Sequence, residues 1–320
     1  MGVSKYDLGP EFVPHPGSSH ELMLELVGSN KDVLDVGCDT GYLGKVLIAH
    51  GCTVSGVEMN PEAAEQASKH LQRVLVSDLE FMDLESEFGR DSFDVVVFGD
   101  VLEHLRDPLS VLRDARSLLR PGGYVVISVP NIAHGDVRLA LLSGHFNYGG
   151  VGLLDDTHLR FFTRENLIEF LGDAGFVLSE LRRSKAPLFG TEIGIEESDF
   201  DPEIVEALRE DVEANTYQFV LTAIPDDATA ITTQQALRVD ELATERDRLK
   251  TEVTRLVGKL REANSVNQRL EDELRGATER GLAVHAQQTA AALGHDASIS
   301  VTDLARRAVR KARAARDRYL

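Results

Sequence analysis

Val33-Leu-Asp-Val-Gly-Cys-Asp-Thr-Gly-Tyr-Leu-Gly44 is the stretch that decides how the rest of this chain is read. Its apolar, β-branched start (Val33 to Val36) predicts a strand, its glycines a tight turn, and the amphipathic run from Tyr42 to His50 a helix. Strand, loop and helix in that order form the unit with which doubly wound α/β sheets bind nucleotides. Gly37 and Gly41 let the backbone approach a ligand closely where a Cβ would collide. A dinucleotide fingerprint would add a glycine at 39, but Asp39 stands there. Negative charge suits a pyrophosphate poorly, because phosphate sites want bare N–H groups and a helix N-terminus. Asp35, on the strand just before the loop, favours a ligand carrying an ammonium group.

Two further acids sharpen the reading. Thr53-Val-Ser-Gly-Val-Glu58 predicts a second strand whose terminal carboxylate can bond both hydroxyls of a ribose. Val74-Leu-Val-Ser-Asp78 predicts a third, with Asp78 placed to accept from an adenine amino group. Asp35, Glu58 and Asp78 would then meet amine, ribose and adenine in turn, with no phosphate between them.

At these residues the chain resembles the class I S-adenosylmethionine-dependent methyltransferases, from about residue 20 to residue 225. The Asp35-x-Gly37-x-x-x-Gly41 loop, Glu58, Asp78, Phe93-Asp-Val-Val-Val-Phe-Gly-Asp100 and Leu119-Arg-Pro-Gly-Gly-Tyr-Val-Val-Ile-Ser-Val-Pro-Asn131 fall in that family's order. The resemblance implies an α/β fold with a doubly wound, seven-stranded, mostly parallel sheet. It also implies S-adenosyl-L-methionine as cofactor, lined by Asp35, Gly37, Cys38, Gly41, Glu58, Met59, Asp78, Leu79 and Asp100. A nicotinamide-dinucleotide domain, or a nucleotide fold without catalysis, is the alternative.

The formal net charge of −19 repels polyanions and argues against general nucleic-acid binding. Cys38 and Cys52 carry no metal-ligand spacing and read as small buried thiols in a reducing cytosol. No secretory pattern opens the chain, and no apolar run approaches the roughly 20 residues needed to span a bilayer. A cytoplasmic protein, with a peripheral place at the inner membrane face, is expected.

Strands and helices alternate through Asn131, and a Gly- and His-rich insertion follows from Ile132 to Arg164. Thr163 is the expected N-cap of the next helix, and two last strands are predicted at Val177 to Arg183 and Tyr217 to Ile224. The expected organisation is a methyltransferase domain over 1–225, a linker over 226–235, a coiled-coil helix over 236–276 and a basic helical or disordered tail over 277–320. Val239, Leu242, Leu249, Val253, Leu256, Leu260, Ala263, Leu270 and Leu274 keep a heptad, with the polar Arg246 and Asn267 at two core positions. This pattern predicts a parallel homodimer; a lone amphipathic helix docked on the catalytic domain is the alternative. The basic tail could meet anionic lipid, a glycosyltransferase or another acidic partner, or stay solvated.

Asp100-Val-Leu-Glu-His-Leu105 follows the fourth strand. If a helix begins here, Asp100, Glu103 and His104 share one face, a plausible partial shell for Mg²⁺ or a softer divalent ion. These residues also resemble the acid–x–x–Glu–His motif of two metal-dependent groups, the ubiquinone-biosynthesis O-methyltransferases and the small-RNA 2′-O-methyltransferases. Both supply a histidine from the insertion. In this chain Asp155-Asp-Thr-His-Leu-Arg-Phe-Phe-Thr163 matches, which makes His158 the implied fourth ligand and a catalytic candidate. The bland alternative is that Glu103 and His104 only cap and pack the helix. His134, just beyond the fifth strand, is the first candidate for a catalytic base, or else a loop histidine bonded to backbone. Arg138 and Arg160 could hold an anionic or glycan substrate.

The insertion further resembles a bacterial subgroup associated with polysaccharide assembly. The leading expectation is an O-methyltransferase acting on a sugar hydroxyl of a polysaccharide or glycolipid. A small phenol or polyketide acceptor, or a coiled-coil scaffold with a vestigial domain, are the competitors.

Overall fold

A computed structural model of the chain describes Gly9, residues 12–226 and scattered helical positions between 250 and 287. The chain divides into two compact units, Met1–Val239 and Asp240–Leu320. The first is an α/β layer structure: α1 Ser19–Val27, β1 Asp32–Val36, α2 Tyr42–Ala49, β2 Thr53–Glu58, α3 Pro61–Ala67, β3 Arg73–Val76, α4 Leu84–Phe88, β4 Phe93–Gly99, α5 Pro108–Leu118, β5 Leu119–Pro130, α6 Gly135–Leu142, α7 Arg164–Asp173, β6 Phe176–Lys185, α8 Pro202–Arg209 and β7 Thr216–Pro225.

The seven strands lie in the order β3-β2-β1-β4-β5-β7-β6. β7 runs antiparallel to both β5 and β6, and the other pairs are parallel. Strand order reverses between β1 and β4, so the loops leaving these two strands open into the crevice where such sheets bind ligands.

The central strands are apolar throughout because both faces are covered. Val33 on β1 and Val95 and Val97 on β4 face a cluster with Met23, Leu26, Leu43 and Leu47 from α1 and α2. Their alternates, Leu34, Val36, Val96 and Phe98, join Leu112, Ala115 and Leu118 of α5 and Leu167 and Leu171 of α7. The two-residue period of a strand thus sorts one sequence run into two cores.

Helix ends follow local chemistry. Ser18 caps α1 by accepting from Glu21 N, and Asn60 with Pro61 starts α3. Thr163 and Asn166 form a reciprocal capping box at α7.

Three expectations shift. The helix expected from Asp100 does not form: Leu102–His104 is a 3₁₀ turn, and α5 starts only at Pro108 with Asp107 as its cap. The third strand stops at Val76, leaving Asp78 to cap the 3₁₀ turn Leu79–Phe81. The insertion holds the helix α6, and the fragment Gly149 to Asp155 closes on itself through a β-bridge.

Most of the expected coiled coil and nearly all of the basic tail lie outside the described residues. Among the described residues, no helix is long and apolar enough to cross a membrane.

Candidate active site

The loop after β1 is built by backbone conformation. Gly37, Asp39 and Gly41 have φ of 76°, 45° and 78°. A Cβ on Gly37 would come 2.5 Å from Val101 Cγ2, so the β1 and β4 loops touch there. Asp tolerates the left-handed region better than most residues, which accounts for Asp39 where a dinucleotide site would carry glycine. The N–H groups of Gly37 and Cys38 donate to Val57 O, that of Gly41 to Cys38 O, and that of Asp39 to Glu58 Oε2 at 2.9 Å. A pyrophosphate would find these four donors already committed.

What the loop presents is negative charge. Asp35 is 3% exposed, and its Oδ2 has no hydrogen-bond partner. Burial, then Glu58 and Asp39, raise its carboxyl from the usual 3.8 to about 7. Such a group suits a cation far better than a phosphate, and the residues therefore fit the ammonium and sulfonium of S-adenosylmethionine. Glu58 ends β2 with Oε2 accepting from Asp39 N and Oε1 from Asn60 N at 2.7 Å. Each oxygen keeps a second lone pair for a ribose hydroxyl. Asp78 Oδ1 accepts from Glu80 N. Met59 is 69% exposed at the tip of β2, whereas Leu79 is half-buried and Cys38 is buried under the loop.

The β4 loop carries the second set of acids. Asp100 has a φ of 55° and turns its Oδ1 to Ser128 Oγ (3.0 Å) and Gln218 Nε2 (2.7 Å). Burial raises its carboxyl to about 6 against the lowering effect of these two donors. Because the 3₁₀ turn replaces the expected helix, Asp100 does not share a face with Glu103 and His104.

Glu103, His104 and His158 do converge: their candidate ligand atoms lie within 4.8 Å of one another. Among the described residues, Asp100 is not part of this group. Glu103 is 1% exposed, with neither carboxylate oxygen hydrogen-bonded. Burial first, then Asp100 and Asp155, push its carboxyl well above the usual range. The insertion is tied to this turn by backbone, since Leu159 N and Arg160 N both donate to Glu103 O. His158 is 8% exposed, with Nδ1 3.4 Å from Leu153 O.

The His134 ring is fully buried, its Nδ1 accepts from Asp136 N at 3.1 Å to cap α6, and its Nε2 lies 3.1 Å from Ala186 O. Both nitrogens are held by backbone, which is the arrangement of the alternative reading, a loop histidine bonded to backbone. Arg138 likewise pairs with Asp211 at 2.5 Å, and Arg160 donates to Arg106 O.

Sequence reasoning missed Thr157, which touches His104, and Asp155, which accepts from the Thr157 hydroxyl, although both stand near His158 in the quoted motif. It also missed Ser128, which the pairing of β4 with β5 brings to Asp100, and Gln218, which the pairing of β5 with β7 brings there. A cluster of Phe12, His20 and Tyr42 rings, edge to face at 5.0 to 5.5 Å, covers the start of α2 and had no signal in spacing.

A family model described as a methyltransferase domain matches residues 18–181, just over half of the 320. The chain is 34% identical over 143 residues to the ubiquinone biosynthesis O-methyltransferase of Histophilus somni (strain 2336), covering 41% of this chain and 60% of that one. The protein of the same name from Psychrobacter arcticus is 30% identical over 172 residues, covering 51% and 66%. The chain spans about half to two thirds of the length of the curated relatives it matches. A solved S-adenosylmethionine-dependent methyltransferase from Archaeoglobus fulgidus is similar with a TM-score of 0.46 at 19% identity, covering 64% of this chain and 94% of that one. With the family model over the strands that carry Asp35, Glu58 and Asp100, the chain belongs to the class I S-adenosylmethionine-dependent methyltransferases.

Proposed function

We propose that the chain methylates a hydroxyl oxygen, with a divalent cation held by Glu103, His104 and His158. One observation carries the cation: Glu103 is a buried carboxylate with neither oxygen hydrogen-bonded, beside two imidazoles at the mouth of the sheet. A carboxylate so placed is costly unless it is protonated or meets a positive charge. The donor set, one carboxylate and two imidazoles, suits Mn²⁺, Fe²⁺ or Zn²⁺ better than Mg²⁺, which prefers an all-oxygen shell.

S-adenosylmethionine supplies a methyl group on a sulfonium, and a divalent ion supplies the charge that lowers the pKa of a bound hydroxyl. Asp35 would take the ammonium, Glu58 the ribose hydroxyls and Asp78 the adenine amino group, with Met59 and Leu79 against the base. Oxygen as the acceptor atom is supported by the O-methyltransferase names of the relatives.

Exposed apolar side chains stand beside the polar Asp156, Thr157 and Arg160 on the segment that carries His158. Leu159, next to His158, is 52% exposed, and Val151 and Tyr148 are 54% and 57% exposed. Tyr148 packs on Phe146, Phe146 on Phe161, and Phe161 on His158. The two arginines expected to hold a glycan are engaged within the fold. Support therefore favours an acceptor with an apolar or aromatic body, such as a phenol, over the sugar hydroxyl expected from the sequence.

The test is methyl transfer by the full-length chain to a panel of phenols and a panel of oligosaccharides, each with and without chelator. Turnover on phenols, lost in chelator and restored by Mn²⁺, is expected. Full turnover in excess chelator would leave Glu103, His104 and His158 as packing, and turnover on saccharides alone would restore the glycan reading. We further propose a homodimer through the heptad segment, where the described positions Val253, Leu256 and Leu260 are exposed in the single chain.

A further inference from the structure

We propose that Thr157, anchored on Asp155, is a positioning residue that holds His104 in its Nδ1–H form, so that the Nε2 lone pair is the one offered to Glu103 and His158. The proposal rests on the cation reading above and adds to it the device that orients one donor.

Thr157 Oγ1 donates to Asp155 Oδ1 at 2.6 Å, and Thr157 N donates to the same oxygen at 2.8 Å. Asp155 is 1% exposed, so little water competes for that oxygen. With its proton committed, the hydroxyl can meet His104 Nδ1, 3.1 Å away, only as an acceptor. The Thr157 carbonyl, 3.3 Å from the same nitrogen, is an acceptor by nature. Two acceptors facing one ring nitrogen place the N–H there, and a neutral imidazole has only one N–H. Nε2 is therefore the basic nitrogen. The same logic applies to His158, whose Nδ1 faces the Leu153 carbonyl at 3.4 Å.

The anchor is held in place independently of His104. Asp155 N donates to Gly152 O, Asp156 N to Gly149 O, and His158 N to Asp155 O. Leu159 N and Arg160 N then fasten the same segment to the Glu103 carbonyl. One short loop thus delivers the His158 ring and fixes the tautomer of His104. Hydrogen bonds to the distal nitrogen of a ligating histidine orient the ring and raise its basicity, and their loss costs about 10–100-fold in metal affinity.

The test uses the full-length chain with ¹⁵N-labelled histidine, its Thr157→Val and Thr157→Ser variants, and Co²⁺ as the probe. Long-range ¹H–¹⁵N spectra of the metal-free protein read the tautomer, with His104 assigned by His104→Gln. Co²⁺ titration followed by visible absorption reads affinity. Expected are Nδ1–H in the parent, a mixture of both tautomers in Thr157→Val with about tenfold weaker Co²⁺ binding, and recovery of both readouts in Thr157→Ser. The low end of the range applies because the 3.3 Å carbonyl remains. Should valine not be accommodated, Thr157→Ala is read by the same two measurements. A Val or Ala variant that folds, keeps Nδ1–H and binds Co²⁺ as tightly as the parent overturns the proposal. A parent that binds no Co²⁺, yet whose Nδ1–H form is lost on removing the hydroxyl, overturns the cation reading and upholds the role of Thr157.

Discussion

Replacing Asp35 with Asn should make the cofactor-free protein more stable and the cofactor bind more weakly, and both effects should depend on pH in a stated direction. The carboxyl is 3% exposed and raised to about 7 from 3.8, with burial the first cause and Glu58 and Asp39 adding to it. The folded state therefore keeps this proton to a higher pH than the unfolded chain does. Where the folded state binds more protons, stability falls as pH rises, so this group lowers stability progressively between about pH 4 and pH 7. At 1.36 kcal/mol per pH decade the full penalty above pH 7 is about 4 kcal/mol, an upper bound that Asp35→Asn would remove. Urea denaturation should show little difference between the two proteins at pH 4 and the largest at pH 8. Cofactor binding runs the other way, because an ammonium favours the carboxylate form. Affinity of the parent for S-adenosylhomocysteine should rise by up to about tenfold per unit from pH 5 to 7 and then level off, while that of Asp35→Asn stays flat. The ammonium itself remains charged over that window. Calorimetry giving the same affinity for the parent at pH 5 and pH 7, or an Asn variant less stable than the parent at pH 8, would refute the reasoning.

Glu58→Ala removes the acceptor of two loop N–H groups along with the proposed ribose contact, so S-adenosylhomocysteine binding should weaken by about 1–3 kcal/mol. Wild-type affinity in a folded variant, by calorimetry, would take Glu58 out of the site. His134→Ala should cost about 2 kcal/mol in urea denaturation, through the lost cap and the lost bond to Ala186 O, and leave kcat of the folded protein nearly unchanged. A hundredfold loss of kcat at intact stability would restore His134 as a base. Truncation after Pro225 should give a monomer that still binds cofactor, and light scattering that finds the full-length chain monomeric at micromolar concentration would end the dimer proposal.

The β1 unit was legible because its information is local: three apolar strand positions (Val33, Leu34 and Val36), the glycines Gly37 and Gly41 and a helix start lie within one short run. Glu58 was legible as a strand tip for the same reason, whereas Asp78 lies two residues past the end of β3. The 100–108 segment was misread because spacing alone cannot tell a helix from a 3₁₀ turn. Yet Asp107-Pro108 was a start signal in plain view, since a proline at the first helical position is favoured and the residue before it is driven out of the helical region. That pair starts α5 at Pro108 and not at Asp100, where the acid–x–x–Glu–His motif suggested it. His134 was beyond reach for another reason. Its burial comes from Ala186 and from Ala214, whose carbonyl accepts from Gly135 N, and both lie far along the chain. The proximity of His158 to Glu103 came from resemblance alone; no periodicity predicts a contact made by a loop across that separation.

The carboxyl edge of the sheet holds two negative pockets, and neither is there for the stability of the fold. Asp35 with Glu58 and Asp39 forms one at β1 and β2; Glu103 with Asp100 and Asp155 forms the other at β4 and the insertion. Each contains a carboxylate under 4% exposed with an oxygen that no protein group satisfies. Elsewhere in the domain, acids are paired: Glu213 takes Arg183 and Arg164, Asp94 and Asp32 take Arg120, and Asp211 takes Arg138. The domain therefore does not lack arginines to neutralise acids. A fold that satisfies its peripheral carboxylates and leaves these two pockets to incoming charge gains binding energy where a cation arrives, at a cost in stability when none is bound. That asymmetry is what supports the two proposals, a cationic cofactor at Asp35 and a second positive charge at Glu103.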